Sequence, residues 1–137
     1  MNVMGINLKS NRLRIVSLSG DKNNHARIEE SFHQLEFPKS NDIDQIHIIR
    51  ETILAFIHRN NIEAISINGR AATGPKSGGG LTFKTEGFLL GITPVPIQNI
   101  FTATVNATNR KQQELKTNQP KTKDLAKAYD LAFEALQ

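Results

Sequence analysis

The chain has no cysteine, no tryptophan and a single tyrosine in 137 residues. Without thiols there is no disulfide framework, no thiolate metal site and no cysteine nucleophile. No stretch approaches the ~20 apolar residues of a membrane-spanning helix. The opening Met1-Asn2-Val3-Met4-Gly5-Ile6-Asn7 lacks the basic start and apolar run of a secretory signal. A cytoplasmic location away from membranes is therefore expected. The hydrophobic fraction of 38% is low for a domain buried on all sides and too high for a disordered chain. One domain over residues 1–137, with one core, fits this length. The four histidines, His25, His33, His47 and His58, form no i,i+4 pair on a helix, so no zinc site is expected. No G-x-S-x-G elbow supports serine hydrolase chemistry.

What is present is a regular alternation of elements. Val3 to Leu8 and Arg12 to Leu18 read as strands around the turn Lys9-Ser10-Asn11. Arg12 and Arg14 alternate with Leu13 and Ile15, which predicts one wet face. After a turn at Gly20–Asn24, Ala26 to Phe37 reads as a third strand with imperfect alternation. Ile43, Ile46, Ile49, Ile53, Phe56 and Ile57 recur at helical spacing, and Asp42 with Gln45 forms a capping-box pattern. This helix should run to about Arg59. Ala64 to Asn68 is then a strand after a helix, which predicts parallel pairing with the first strand through a right-handed crossover. Gly74 to Gly80 is a glycine-rich loop, and Thr82 to Leu90 a short helix closed by Gly91. Thr93 to Ile97 reads as a strand limited by Pro94 and Pro96, and Gln98 to Val105 as a helix. Asn106 to Pro120 reads as polar, basic and mobile, and Lys123 to Leu136 as an amphipathic helix.

The net charge is +4, and its placement is uneven. Between Asn109 and Lys127, Arg110, Lys111, Lys116, Lys121, Lys123 and Lys127 are opposed only by Glu114 and Asp124, so +4 lies in that one segment. Such a cluster attracts phosphate backbones, and a solvated loop is the plain alternative. Seven phenylalanines and one tyrosine, mostly at core spacing, leave few rings to stack on bases.

Three antiparallel strands followed by crossovers is the order of the ribonuclease H-like fold, which includes the RuvC-type resolvases. The predicted class is thus α/β, with a mixed sheet and helices. Nucleases of this fold place carboxylates on the first strand, at the end of the fourth and on the last helix. There they hold two magnesium ions ~3.5–4 Å apart around one phosphate. Here the first-strand residue is Asn7, where similar resolvase sequences carry aspartate. Asn68, Gly69 and Arg70 stand at the end of the fourth strand. Asp124 and Asp130 lie on the last helix, the former also suited to a helix N-terminus. The charge count speaks against a two-metal nuclease.

Gly74-Pro75-Lys76-Ser77-Gly78-Gly79-Gly80 precedes a helix, where free backbone amides can cradle an anion. Arg70, Lys76 and Lys84 supply charge beside Gly78, Gly79 and Gly80. The spacing is neither a Walker loop nor G-x-G-x-x-G, and close packing at a helix start accounts for the glycines equally well. Glu86, one turn into that helix, is a candidate base or a partner for Arg70, and otherwise a surface carboxylate.

Arg70, Gly74, Gly78, Gly79, Phe83, Lys84 and Glu86, with Gly5-Ile6-Asn7-Leu8 at the start, resemble the small proteobacterial proteins grouped as domain-of-unknown-function family 3010. The resemblance implies a strand, an acid-arginine pair, a glycine-rich turn and Phe-Lys-x-Glu opening a helix. It also marks two departures, Asn7 and Gly69, at positions where family members carry acids. The expectation is a ribonuclease H-like module without catalytic metal or other cofactor, binding nucleic acid or another polyanion. The alternatives are a divergent metal-dependent nuclease using Asp124, Asp130 or Glu86 with Asn7, and a homodimeric interaction module.

Overall fold

A computed structural model describes residues 1–69 and 79–137. Strands β1 (Asn2–Lys9) and β2 (Arg12–Gly20) form the expected hairpin, in register from Asn2 opposite Ser19 to Lys9 opposite Arg12. Ser10 takes a left-handed conformation at the turn (φ 58°). The wet face predicted for β2 is confined to its first half, because Val16 and Leu18 on the side of Arg14 are buried.

The predicted third strand is two strands. β3 (His25–Ile28) and β4 (Gln34–Glu36) both run antiparallel along one edge of β2. Residues 29–32 leave the ladder between them, with Glu29 at φ 40°, and the His33 carbonyl resumes it by accepting from the Ile15 N–H at 2.9 Å. This excursion is fastened to the helix α1 (Ile43–Arg59). Phe32 stacks on Phe56 with ring centroids 4.3 Å apart, and Glu29 accepts two hydrogen bonds from the Arg59 guanidinium at 2.8 and 2.9 Å. Those contacts explain why alternation fails there.

The Asp42 side chain caps α1 by accepting from the Gln45 N–H at 3.1 Å. Ile49, Ile53, Phe56 and Ile57 are buried as expected, whereas Ile43 on the first turn is exposed. β5 (Ala64–Asn68) pairs in parallel with β1, Val3 opposite Ala64 through Ile6 opposite Ile67. β6 lies parallel on its far side and spans Ile97–Ile100 rather than Thr93–Ile97. Pro94 and Pro96 lack the N–H a ladder needs, so pairing starts only after the second. The sheet order is β3-β2-β1-β5-β6.

Alternate side chains go to two layers. Met4, Ile6, Leu8, Leu13, Ile15, Ile65 and Ile67 face α1 and the helix α2 (Gly80–Ile92), whose Leu89 is buried among them. Val3, Val16 and Leu18 face the last helix, α4 (Lys123–Ala135), through its Ala128, Tyr129, Ala132 and Phe133. Burial of a ring such as Phe133 is worth about 1.5–3 kcal/mol. Gly5 sets the spacing of that layer. A Cβ there would overlap the Ala128 carbonyl oxygen and stand 2.5 Å from the Ala132 nitrogen.

Helix α3 covers Thr102–Gln112, not Gln98–Val105, and a 3₁₀ turn follows at Gln113–Leu115. Much of the stretch read as mobile is therefore regular. None of the α3 residues is buried, so the apolar period that betrays a helix is missing. The chain after it is tied to β3 and α4. The Asn118 amide donates to the His25 carbonyl at 2.7 Å, and the Asn118 backbone N–H donates to the Tyr129 oxygen. His25 Nδ1 lies 3.2 Å from the Asp21 carbonyl, which only a donor can satisfy. Its Nε2 is then the acceptor for the Tyr129 hydroxyl at 2.6 Å. Burial, with the nearby Asp130 charge, holds the Tyr129 hydroxyl above its ordinary range, partly offset by the Asn118 bond.

Candidate functional site

In open α/β sheets, ligands meet the crevice outside the carboxyl ends of the strands. Here those ends bring Asn7, Asn68 and Ile100 to the α4 side of the sheet. Asn7 stands directly opposite Arg14 in the β1–β2 register, so both side chains leave the same face. Two cavities meet at Asn7. One, of about 290 Å³, runs under α3 and is lined by Asn68, Gly69, Asn106, Asn109, Lys127 and Asp130 among others. The second, of about 260 Å³, is lined by Lys9, Arg12, Arg14, Lys39 and Asp124.

Asn7 is 7% exposed, and its amide makes no hydrogen bond with any described residue. Asn68 is committed: its oxygen accepts from the Leu8 N–H at 2.7 Å and its nitrogen donates to the Leu8 carbonyl at 2.9 Å. The side chain thus extends the β1–β5 ladder by one rung. Gly69 lies under the Phe101 ring. A Cβ at Gly69 would stand 2.8–2.9 Å from three ring carbons, so a carboxylate side chain here requires the ring to move.

The acids of the last helix do not act together. Asp130 Oδ1 accepts from Lys116 Nζ at 2.8 Å and from Gln119 Nε2 at 2.8 Å. Lys116 also donates to the Asn109 oxygen, and its side chain is fully buried. Asp124 borders the second cavity with Asn7. Glu86 is on α2, which packs with α1 on the other side of the sheet. Two magnesium ions need several carboxylates converging on one point. A neutral amide where the two cavities meet, a glycine beneath a phenyl ring, an aspartate tied to a buried ammonium and Lys127 in the crevice do not fit them. Among the described residues, no three His, Cys, Asp or Glu side chains group so as to hold a metal.

The basic residues separate into surface and interior. Arg110 and Lys111 end α3, and Lys121, Lys123 and Lys127 lie at the start of α4, all exposed. Lys116 leaves that set, since its ammonium is consumed inside the fold. Lys9, Arg12, Arg14 and Lys39 were not among the basic residues expected to bind an anion, and they line the second cavity. Their signal was faint: Lys9 and Arg12 bracket a tight turn, which brings them and the following Arg14 to one sheet end. Of the anion-binding set, Arg70, Lys76 and Gly78 lie outside the described residues. Gly79 and Gly80 are exposed at the start of α2, and Lys84 donates to the Asn41 oxygen at 3.0 Å.

The family described as a protein of unknown function, DUF3010, matches residues 1–135. No curated protein matches the chain. Among solved structures it is similar to Thermus thermophilus RuvC in complex with a Holliday junction substrate. That match has 16% identity and a TM-score of 0.73, covering 97% of this chain and 90% of the other. It is also similar to another Thermus thermophilus RuvC structure, with 16% identity, a TM-score of 0.68, and 97% and 92% coverage. The likeness establishes the fold as RuvC-type and ribonuclease H-like, as the element order predicted.

Proposed function

We propose that this chain, which belongs to the DUF3010 family, binds nucleic acid through the crevice at Asn7 and does not cleave it by a two-metal mechanism. The observation that carries the reading is the pairing of Asn7 with Arg14 where the two cavities meet. An acid at that place attracts a cation; a neutral amide with an arginine opposite it in the register suits a phosphate. Lys9, Arg12 and Lys39 line one of the two cavities with Arg14, and Lys127 lines the other; Arg110, Lys111, Lys121 and Lys123 add exposed positive charge at the end of α3 and the start of α4. One solved structure of similar fold holds a Holliday junction, which supports the choice of nucleic acid over other polyanions. Binding is electrostatic, with a Kd of roughly 10⁻⁴–10⁻⁶ M for non-specific sites at physiological salt. Fluorescence anisotropy with labelled oligonucleotides in EDTA tests it. Binding that weakens steeply with salt supports the reading, and no binding at low salt removes it.

The outer face of α2 favours a second reading, that the chain works as a homodimer. Leu90 is 56% exposed, and Gly87 and Gly91 have open space above them. Meanwhile Thr82 and Thr85 are among the buried residues of the same helix. A helix apolar on its outer side asks for a cover. Sedimentation of the wild type and Leu90→Glu tests this: a dimer that the substitution dissociates supports the reading, and a wild-type monomer ends it.

A further inference from the structure

The two cavities that meet at Asn7 differ in charge. The one of about 260 Å³ is lined by Lys9, Arg12, Arg14 and Lys39 against the single carboxylate of Asp124. The one of about 290 Å³ is lined by one cation, Lys127, and one acid, Asp130, among amides and apolar groups. Positive charge is therefore concentrated at one end of the crevice.

The fold builds this cluster. Asn7 and Lys9 on β1 stand opposite Arg14 and Arg12 on β2, so all four side chains leave the same face of the sheet. The turn residues Ser10 and Asn11 line the cavity between them. Asn11 is buried: its side-chain amide donates to the Phe37 carbonyl at 2.6 Å, and its backbone carbonyl accepts from the Phe37 N–H at 2.8 Å. That reciprocal pair holds the chain after β4 against the turn and brings Lys39, two residues on, to the same cavity. Lys9 directly opposite Arg12 is a pair of like charges, which destabilises a hairpin. Glu36, 3.8 Å from the Arg12 guanidinium with both side chains more than half exposed, relieves it only weakly. An anion in the cavity would relieve it fully.

We infer that this cavity takes the terminal phosphate of a nucleic-acid strand whose next nucleotides lie along the neighbouring cavity. This rests on the nucleic-acid reading above and names the substrate class: a strand end carrying a phosphomonoester. A phosphodiester within a strand carries one negative charge, and a strand passing through both cavities would meet its phosphates with similar charge on each side. A monoester carries about −1.5 to −2 at pH 7 and three acceptor oxygens, which suits several cations around one point.

The test is an anisotropy titration at one low salt concentration in EDTA. The probe is one internally labelled single-stranded oligonucleotide with a 5′-phosphate, a 3′-phosphate or hydroxyls at both ends. One of the two phosphorylated forms should bind roughly tenfold more tightly than the hydroxyl-ended form. In the Lys9→Gln, Lys39→Gln double variant, whose two side chains are exposed in the fold, that ratio should fall toward one. A nucleoside 5′-monophosphate should displace the phosphorylated strand only at far higher concentration than the same strand unlabelled. Equal affinity of the three forms, a ratio kept in the double variant, or displacement by the monophosphate at the same concentration overturns this inference and leaves the nucleic-acid reading standing. No binding of any form by the wild type overturns both.

Discussion

Asn7 on β1 and Arg14 on β2 are directly opposite each other, at the end of the sheet where nucleases of this fold keep their first-strand acid. The pairing turns a place suited to metal into one suited to an anion. It also means that one substitution does not restore a nuclease. A carboxylate at position 7 would stand opposite Arg14 in the register, with Lys127 lining the same cavity.

Asn7→Asp should therefore give no magnesium- or manganese-dependent cleavage of single-stranded or branched DNA. It should bind no magnesium by calorimetry, and it should weaken oligonucleotide binding by adding a negative charge. Metal-dependent cleavage by this variant would contradict the account of the crevice.

The lysines of the basic segment should differ sharply in what they do. Lys121→Ala should change unfolding free energy by no more than about 0.5 kcal/mol. Lys116→Ala should cost about 3 kcal/mol in urea denaturation, the low end for breaking a buried pair, because Gln119 stays with Asp130. Equal effects of the two substitutions would show that Lys116 is not buried in solution.

The contrast marks a limit of sequence reading. Six cations between Arg110 and Lys127 look alike as letters, and only the turn at Gln113–Leu115 sends one of them inward. Helix α1, the β1–β2 hairpin and the parallel β5 were legible because their apolar spacing matches one period and their burial follows it. Helix α3 was not, because a helix that buries nothing writes no period. Phe101 was counted with the core phenylalanines, and its exposed ring lies on Gly69, thirty-two positions away. Arg14 was read as a wet-face residue, which is correct but says nothing of Asn7. That neighbour is fixed by register, and the register by the two-residue turn Ser10-Asn11.

Stability should bend at both ends of the pH scale for identifiable reasons. The hydrogen bond from Arg59 holds the Glu29 carboxyl below its ordinary 4.5, helped by Asn60 and by the Arg59 charge. A lowered carboxyl contributes fully above 4.5, and the contribution is lost as pH falls through its lower folded value. Burial raises the Tyr129 hydroxyl above 10.0, so its contribution is present below that value and lost as pH rises through the folded one. In denaturation series, Glu29→Gln should flatten the acid limb alone and Tyr129→Phe the alkaline limb alone. Limbs unchanged in both variants would refute these assignments.

The salt dependence of single-strand binding in EDTA, compared between the wild type and the Arg14→Ala, Lys127→Ala double variant, tests most directly whether the crevice itself meets the phosphates. Each lost phosphate contact on a single strand should flatten the log Kobs against log [salt] slope by about 0.7, so the pair should flatten it by about 1.4. An unchanged slope, or binding that appears only with added magnesium, would contradict the account.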